Sequence, residues 1–206
     1  MNLSLENTIF FIFAALLSLS LHEFAHAAAA VAMGDPTPRV YGRLTLNPLP
    51  HLDFLGTLAL VLTQRVGWAK PVPINPSNFR EPRKGLIIVS LAGPLANFAL
   101  CALASIALRL GLPDTIGGQA LAGFLFMNFL VNLGLALFNL IPVPPLDGSK
   151  VLMGLLPPRM GYRLSELETY GPFLLLLLLM FPGAISAILG PFYAFFSKLF
   201  LGMAVY

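Results

Sequence analysis

The run from Ile9 to Met33 is long enough to cross a bilayer as a helix, a task that needs about 20 apolar residues. Only small or hydroxyl residues and three ionisable side chains, His22, Glu23 and His26, interrupt it. Ionisable groups inside such a span are expensive and by default functional. Here they spell H-E-x-x-H. Residues four apart on a helix share a face, so both imidazoles aim at one point. Glu23, about 100° round the axis, reaches a water held there. A pair of buried histidines used only for interhelical hydrogen bonds would leave Glu23 in the membrane without a cation.

Composition extends the membrane reading to the whole chain. Of 206 residues, 57% are hydrophobic and 10% charged, with a mean hydropathy of +0.83. A soluble core cannot absorb so many long apolar runs. The net charge of +3 does not point to nucleic acid, because the basic residues are grouped between apolar runs rather than interleaved with aromatics. Arg39, Arg43, Arg65, Lys70, Arg80, Arg83 and Lys84 fall in one polar stretch, and Lys150, Arg159 and Arg163 in another. A helix count places both stretches on one side, which the positive-inside rule makes cytoplasmic. The site then lies within the bilayer nearer the cytoplasmic face, since His26 is about 10 Å from the end of its helix near Met33. Cys101 sits alone in an apolar run and reads as packing. Met1 to Glu6 lack the basic region of a signal peptide, so the first span is expected to be retained.

In chain order, spans are expected at about Thr8–Met33, Gly85–Leu110 and Gln119–Ile141. Gly34 to Pro38 stops the first. Arg39 to Leu46 alternates loosely and predicts a short membrane-associated β element. Leu52 to Leu62 is too short to span and predicts a re-entrant or interfacial segment. Gly67 to Pro73 reads as extended and proline-stiffened, either an interfacial anchor or a substrate contact. Ala92 to Asn97 is a small-residue run suited to close helix packing, with a kink at Pro94. Asn97 within it reads as an interhelical hydrogen-bond partner before a substrate contact. The third span carries Asn128, Asn132 and Asn139 into a proline-rich end at Pro142 to Gly148. Residues 164–206 read as lipid-facing support, with Tyr193, Lys198 and Tyr206 as interface anchors. The fold class is therefore an all-α integral membrane protein. It is read as a multi-span bundle with a short β element and a re-entrant segment, forming one polytopic domain over 1–206 with its core at 8–150.

A catalytic zinc keeps three protein ligands and leaves a fourth position for water. With His22 and His26 as two ligands, the third comes from His51, Asp53 or Asp147. Asp147 is preferred, because its Pro-rich turn and Gly148 suit irregular backbone lining a cavity at membrane depth. His51 and Asp53 suit capping or interfacial roles.

The chain resembles the site-2 protease family of intramembrane zinc metalloproteases. The resemblance rests on His22 to His26 together with N-x-x-P-x-x-x-x-D-G at Asn139 to Gly148. It is supported by Asn47 to Gly56, Gly67 to Pro76 and Gly93 to Asn97, and covers roughly Leu21 to Lys150. It implies that His22, His26 and Asp147 bind Zn2+, that Glu23 is the general base, and that Asn139 supports site or substrate; Asn97 is kept beside it as a substrate-binding or supporting candidate from the residue reading above. It further implies hydrolysis of transmembrane helices of membrane-protein substrates in the cell membrane, with the Arg39 to Leu46 region resembling the element that holds unwound substrate. The PDZ and CBS domains of larger members are not seen, so the form is minimal. A zinc transporter would use intramembrane His and Asp as well, but has no need of Glu23 and should show polar residues across both halves of the membrane. An inert membrane scaffold is opposed by the intact motif.

Overall fold

The computed structural model describes residues 5–63 and 67–203; Arg65 and Tyr206, assigned above to the basic stretch and to an interface, lie outside them. The described residues fold into helices without a named strand. Three are long and apolar enough to cross a membrane: α1 (Leu5–Ala32), α4 (Pro82–Arg109) and α6 (Gly118–Asn139). Between them in chain order come α2 (Thr37–Val40), α3 (Phe54–Thr63) and α5 (Leu112–Thr115). The chain then continues through α7 (Asp147–Leu155), α8 (Pro158–Glu166), α9 (Gly171–Met180) and α10 (Pro182–Leu201).

Inside α1, Ser18 and Ser20 turn their hydroxyls onto the carbonyls of Ala14 and Leu16, both at 2.6 Å, so neither needs water in an apolar span. The helix ends where Gly34 takes φ 110°. Its N–H meets the Val31 carbonyl and that of Asp35 meets Ala30, satisfying carbonyls that no further turn would reach. Helix α4 starts with Pro82 in its first turn, where a missing N–H costs nothing, and carries Pro94 within it. Helix α6 ends at Asn139, two residues short of the expected Ile141, because Pro142 cannot supply the next amide.

Helices α1, α4 and α6 pack on one another, and α7 packs back on α4. Glycine decides that last contact. A Cβ on Gly154 would lie 2.4 Å from the Ile87 side chain of α4, and one on Gly148 would lie 2.2 Å from the Leu140 carbonyl oxygen at the end of α6. Cys101, Phe129, Leu133 and Leu137 form the apolar core toward the other end, covered by Tyr193, Phe196 and Phe200 of α10. Ser105 donates to the Phe200 carbonyl, so α10 ends beside the C-terminal end of α4.

Two expectations change. Arg39 to Leu46 is not a strand. Pro36 and Pro38 favour the helical turn α2, and Gly42 at φ 66° turns the chain so that Arg43 N–H returns to the Pro38 carbonyl. Local turn chemistry outweighs the loose alternation. Leu52 to Leu62, expected to be too short to span, holds the short helix α3, whose ten residues rise about 15 Å, half of a hydrocarbon core. Tyr193 is not an interface anchor but half-buried, donating to the Leu130 carbonyl at 2.9 Å, since a phenol inside an apolar bundle needs an acceptor.

Residues 67–75 form an extended strap along α1, bridged once, Leu52 to Ala69, and lead into a single 3-10 turn at Pro76–Asn78. Asp35, fully buried, fastens it. Its carboxylate accepts from the Asn75 N–H at 2.7 Å, Asn78 Nδ2 at 2.7 Å, and the Thr37 N–H and hydroxyl. Burial pushes this carboxyl up, but the hydrogen bonds from Asn78, Thr37 and Asn75 outweigh it and hold it below the usual carboxylate range. Its contribution is thus full above the unfolded value of about 3.9 and is lost as pH falls through the lower folded value. Asp35→Ala orphans these donors and is expected to loosen the strap by about 3 kcal/mol. Faster hydrogen exchange at residues 72–79 checks it.

Candidate metal centre

His22 and His26 lie on one face of α1, and the fold of α7 under the end of α6 brings Asp147 onto the same point. His22 Nε2 and His26 Nε2 are 3.0 Å apart. Asp147 Oδ2 is 3.2 Å from the first and 3.1 Å from the second. All three residues are buried. The other Asp147 oxygen, Oδ1, faces Lys150 Nζ at 4.0 Å.

The protons on the imidazoles are fixed by their far sides. His26 Nδ1 is 2.6 Å from the Val89 carbonyl, which can only accept, so Nδ1 carries the hydrogen. His22 Nδ1 is 2.6 Å from Asn97 Oδ1, and the nitrogen end of that amide is spoken for by the Ser18 carbonyl. With Nδ1 carrying the hydrogen in both rings, the neutral, metal-binding form of each turns an Nε2 lone pair inward, toward a carboxylate oxygen. Three electron-pair donors at this separation repel one another unless a cation lies among them. Zinc held tetrahedrally at about 2.0–2.1 Å from each ligand sets them about 3.3 Å apart, so the donor set fits that ion. Gly93 leaves the room, since a Cβ there would come within 2.4 Å of His26 Nε2 and 2.6 Å of His22 Nε2.

Glu23 is buried beside this group, with Oε2 accepting the Val72 N–H of the strap at 3.2 Å. Asn97 reaches the group through His22, as described. Asn139 turns its amide back onto the Leu135 carbonyl at 3.0 Å, a helix-end bond. His51 and Asp53 are not brought to the cluster. His51 Nε2 bonds the Thr45 carbonyl, and Asp53 caps α3 through the Gly56 N–H at 2.8 Å. Sequence reasoning missed three participants: the Val89 carbonyl, the Val72 N–H and Gly93. The first two are backbone groups without a residue-type signal, and Gly93 was visible only as a small residue for helix packing.

The sequence profile of Peptidase family M50 matches residues 114–181. Relatives of the chain include proteins named "Putative zinc metalloprotease". YwhC of Bacillus subtilis (strain 168) is 40% identical over 174 residues, which is 81% of this chain and 78% of that protein. The chain belongs to peptidase family M50. Rip2 of Mycobacterium tuberculosis (strain H37Rv) is 36% identical over 172 residues, which is 81% of this chain and 65% of that protein. No solved structure gives a significant match. As an M50 member the chain is a membrane metalloprotease, of the site-2 protease type that its motifs resemble, and the buried His22, His26 and Asp147 form a group able to hold the metal.

Proposed function

We propose that the chain is an intramembrane zinc-dependent endopeptidase that hydrolyses peptide bonds in or near the transmembrane segments of membrane proteins. The observation carrying this reading is the convergence, within 3.0–3.2 Å, of Asp147 on two histidines of a membrane-length helix that also bears Glu23. His22, His26 and Asp147 are the metal ligands. Zinc held by them supplies a Lewis acid and lowers the pKa of a bound water to about 7.

The rest falls to the chain's own residues. Glu23, with Oε2 steadied by Val72, takes a proton from the attacking water and passes it to the leaving amine. The Val89 carbonyl and Asn97 keep both imidazoles turned inward. Asn139 closes the end of α6 and so supports the turn that delivers Asp147. A peptide bond inside a helix is shielded, so the substrate helix unwinds locally and lays its backbone along the extended strap at 67–75. Helix α3, with Phe54, Leu55, Leu58 and Leu62 exposed, rests in the interface beside that entry.

Metal analysis of purified protein, paired with cleavage of single-span membrane proteins with and without chelator, tests the reading. Wild type is expected to carry one zinc and to cut only without chelator. Asp147→Ala should lose both, because removing one of three ligands leaves an incomplete site. Full zinc in Asp147→Ala, with loss in His51→Ala or Asp53→Ala, would assign the third ligand elsewhere.

The strap and the 150–163 stretch are cytoplasmic on this reading, and the N-terminal end of α1 lies outside. In a Cys101→Ala background, a cysteine at the exposed Arg80 should react with impermeant reagent only from the cytoplasmic side. Reaction only from outside would invert the topology.

A further inference from the structure

The amide that orients His22 is itself oriented. Asn97 Nδ2 donates to the Ser18 carbonyl at 3.3 Å and to Asn132 Oδ1 at 2.8 Å. Asn132 Nδ2 in turn donates to the Asn128 carbonyl at 2.8 Å and to Asn128 Oδ1 at 3.2 Å. Asn97 and Asn132 are fully buried and Asn128 nearly so. Backbone carbonyls only accept, so they settle which end of each amide is nitrogen. The Asn128 carbonyl claims the Asn132 nitrogen, which leaves the Asn132 oxygen for Asn97. Asn97 then presents nitrogen to Asn132 and oxygen to His22, and His22 keeps its proton on Nδ1. His26 needs no such chain, because its acceptor, the Val89 carbonyl, cannot flip. An asparagine amide has nearly the same shape either way round, so its direction has to be imposed by its partners.

We propose that Asn132, one helix removed from the metal centre, is a positioning residue for it. Acting through Asn97, whose nitrogen it holds at 2.8 Å beside the longer 3.3 Å contact to the Ser18 carbonyl, it reinforces the amide direction and hence the ring tautomer that turns His22 Nε2 inward. The proposal rests on the reading of His22 as a metal ligand. It also accounts for three asparagines in apolar spans, which simple helix adhesion would not require to be joined end to end.

The test is a zinc dissociation constant for the full chain in detergent, measured by chelator competition without any substrate. Asn132→Leu, close to asparagine in size, is expected to bind zinc about 10–100-fold more weakly, the usual cost of losing an outer partner of a metal ligand. Asn97→Leu should lose at least as much. The double variant should bind no more weakly than Asn97→Leu alone, because the effect of Asn132 runs through Asn97. Contact alone also couples neighbouring residues, so the melting temperature of the metal-free chain is measured beside the zinc affinity: a role in packing alone would lower the first and spare the second. Unchanged affinity in Asn132→Leu, or losses that add in the double variant, would overturn the proposal.

Should Asn132→Leu fail to fold, Asn132→Ser removes the same acceptor. Its hydroxyl bonds its own helix, as Ser18 and Ser20 do, and the same non-additivity is required of it. His22→Ala separates the two levels. If it binds zinc as wild type does, the ligand assignment falls and the relay with it. If it loses zinc while Asn132→Leu keeps it, the relay alone falls.

Discussion

Glu23→Gln is expected to keep its zinc and lose at least about 10²- to 10⁴-fold in cleavage rate, the usual worth of a positioned general base. The substitution holds the size of the side chain and an oxygen for the Val72 N–H, which Glu23 Oε2 accepts at 3.2 Å. What it removes is the ability to take a proton. Glu23 sits one residue from His22 but about 100° round the helix, so it stands outside the three-ligand group and metal content should not follow it. Zinc content, extraction behaviour and cleavage of one model transmembrane substrate, compared between wild type and variant, decide the matter. A variant with normal zinc that cut near the wild-type rate would take Glu23 out of the mechanism. A metal transporter would show no such dependence on the carboxylate.

Gly93→Ala is expected to weaken zinc binding by more than about 100-fold, beyond the range for outer partners of a ligand, because the new atom meets the ligands themselves. Its Cβ would stand 2.4 Å from His26 Nε2 and 2.6 Å from both Cε1 and Nε2 of His22. Neither ring can yield freely, since Asn97 and the Val89 carbonyl grip their far sides at 2.6 Å. Overpacking of this kind also destabilises by about 1–3 kcal/mol. Gly134→Ala is the matched control. A Cβ at Gly134 meets nothing within 4 Å, so alanine there should leave both zinc and fold as they are. Zinc retention by Gly93→Ala at wild-type affinity would mean that the imidazoles are looser than their hydrogen bonds imply.

Sequence by itself determined the local and periodic features. The long apolar runs had to become helices because a bilayer leaves backbone polar groups no partner outside the segment, and α1, α4 and α6 lie within a few residues of the expected spans. The four-residue spacing put His22 and His26 on one face of α1 for the same reason of helix geometry. Proline and glycine marked where helices end, as at Gly34 and Pro142, since their effects act within a turn of the chain.

Tertiary structure alone decided everything that depends on what a residue meets across the bundle. Arg39 to Leu46 carried a faint strand pattern, yet a strand needs a partner to pair with and the prolines beside it offered a turn at once. Tyr193 looked like an interface anchor until α10 docked on α6 and gave its hydroxyl the Leu130 carbonyl. Gly93 became a wall of the metal centre only when α4 crossed α1 at the two histidines. The strap brought a backbone N–H to Glu23, and a backbone group carries no mark of its destination in the sequence. Asn97 and Asn132 acquired a direction only from carbonyls that other turns present, because an amide side chain takes its orientation from its neighbours.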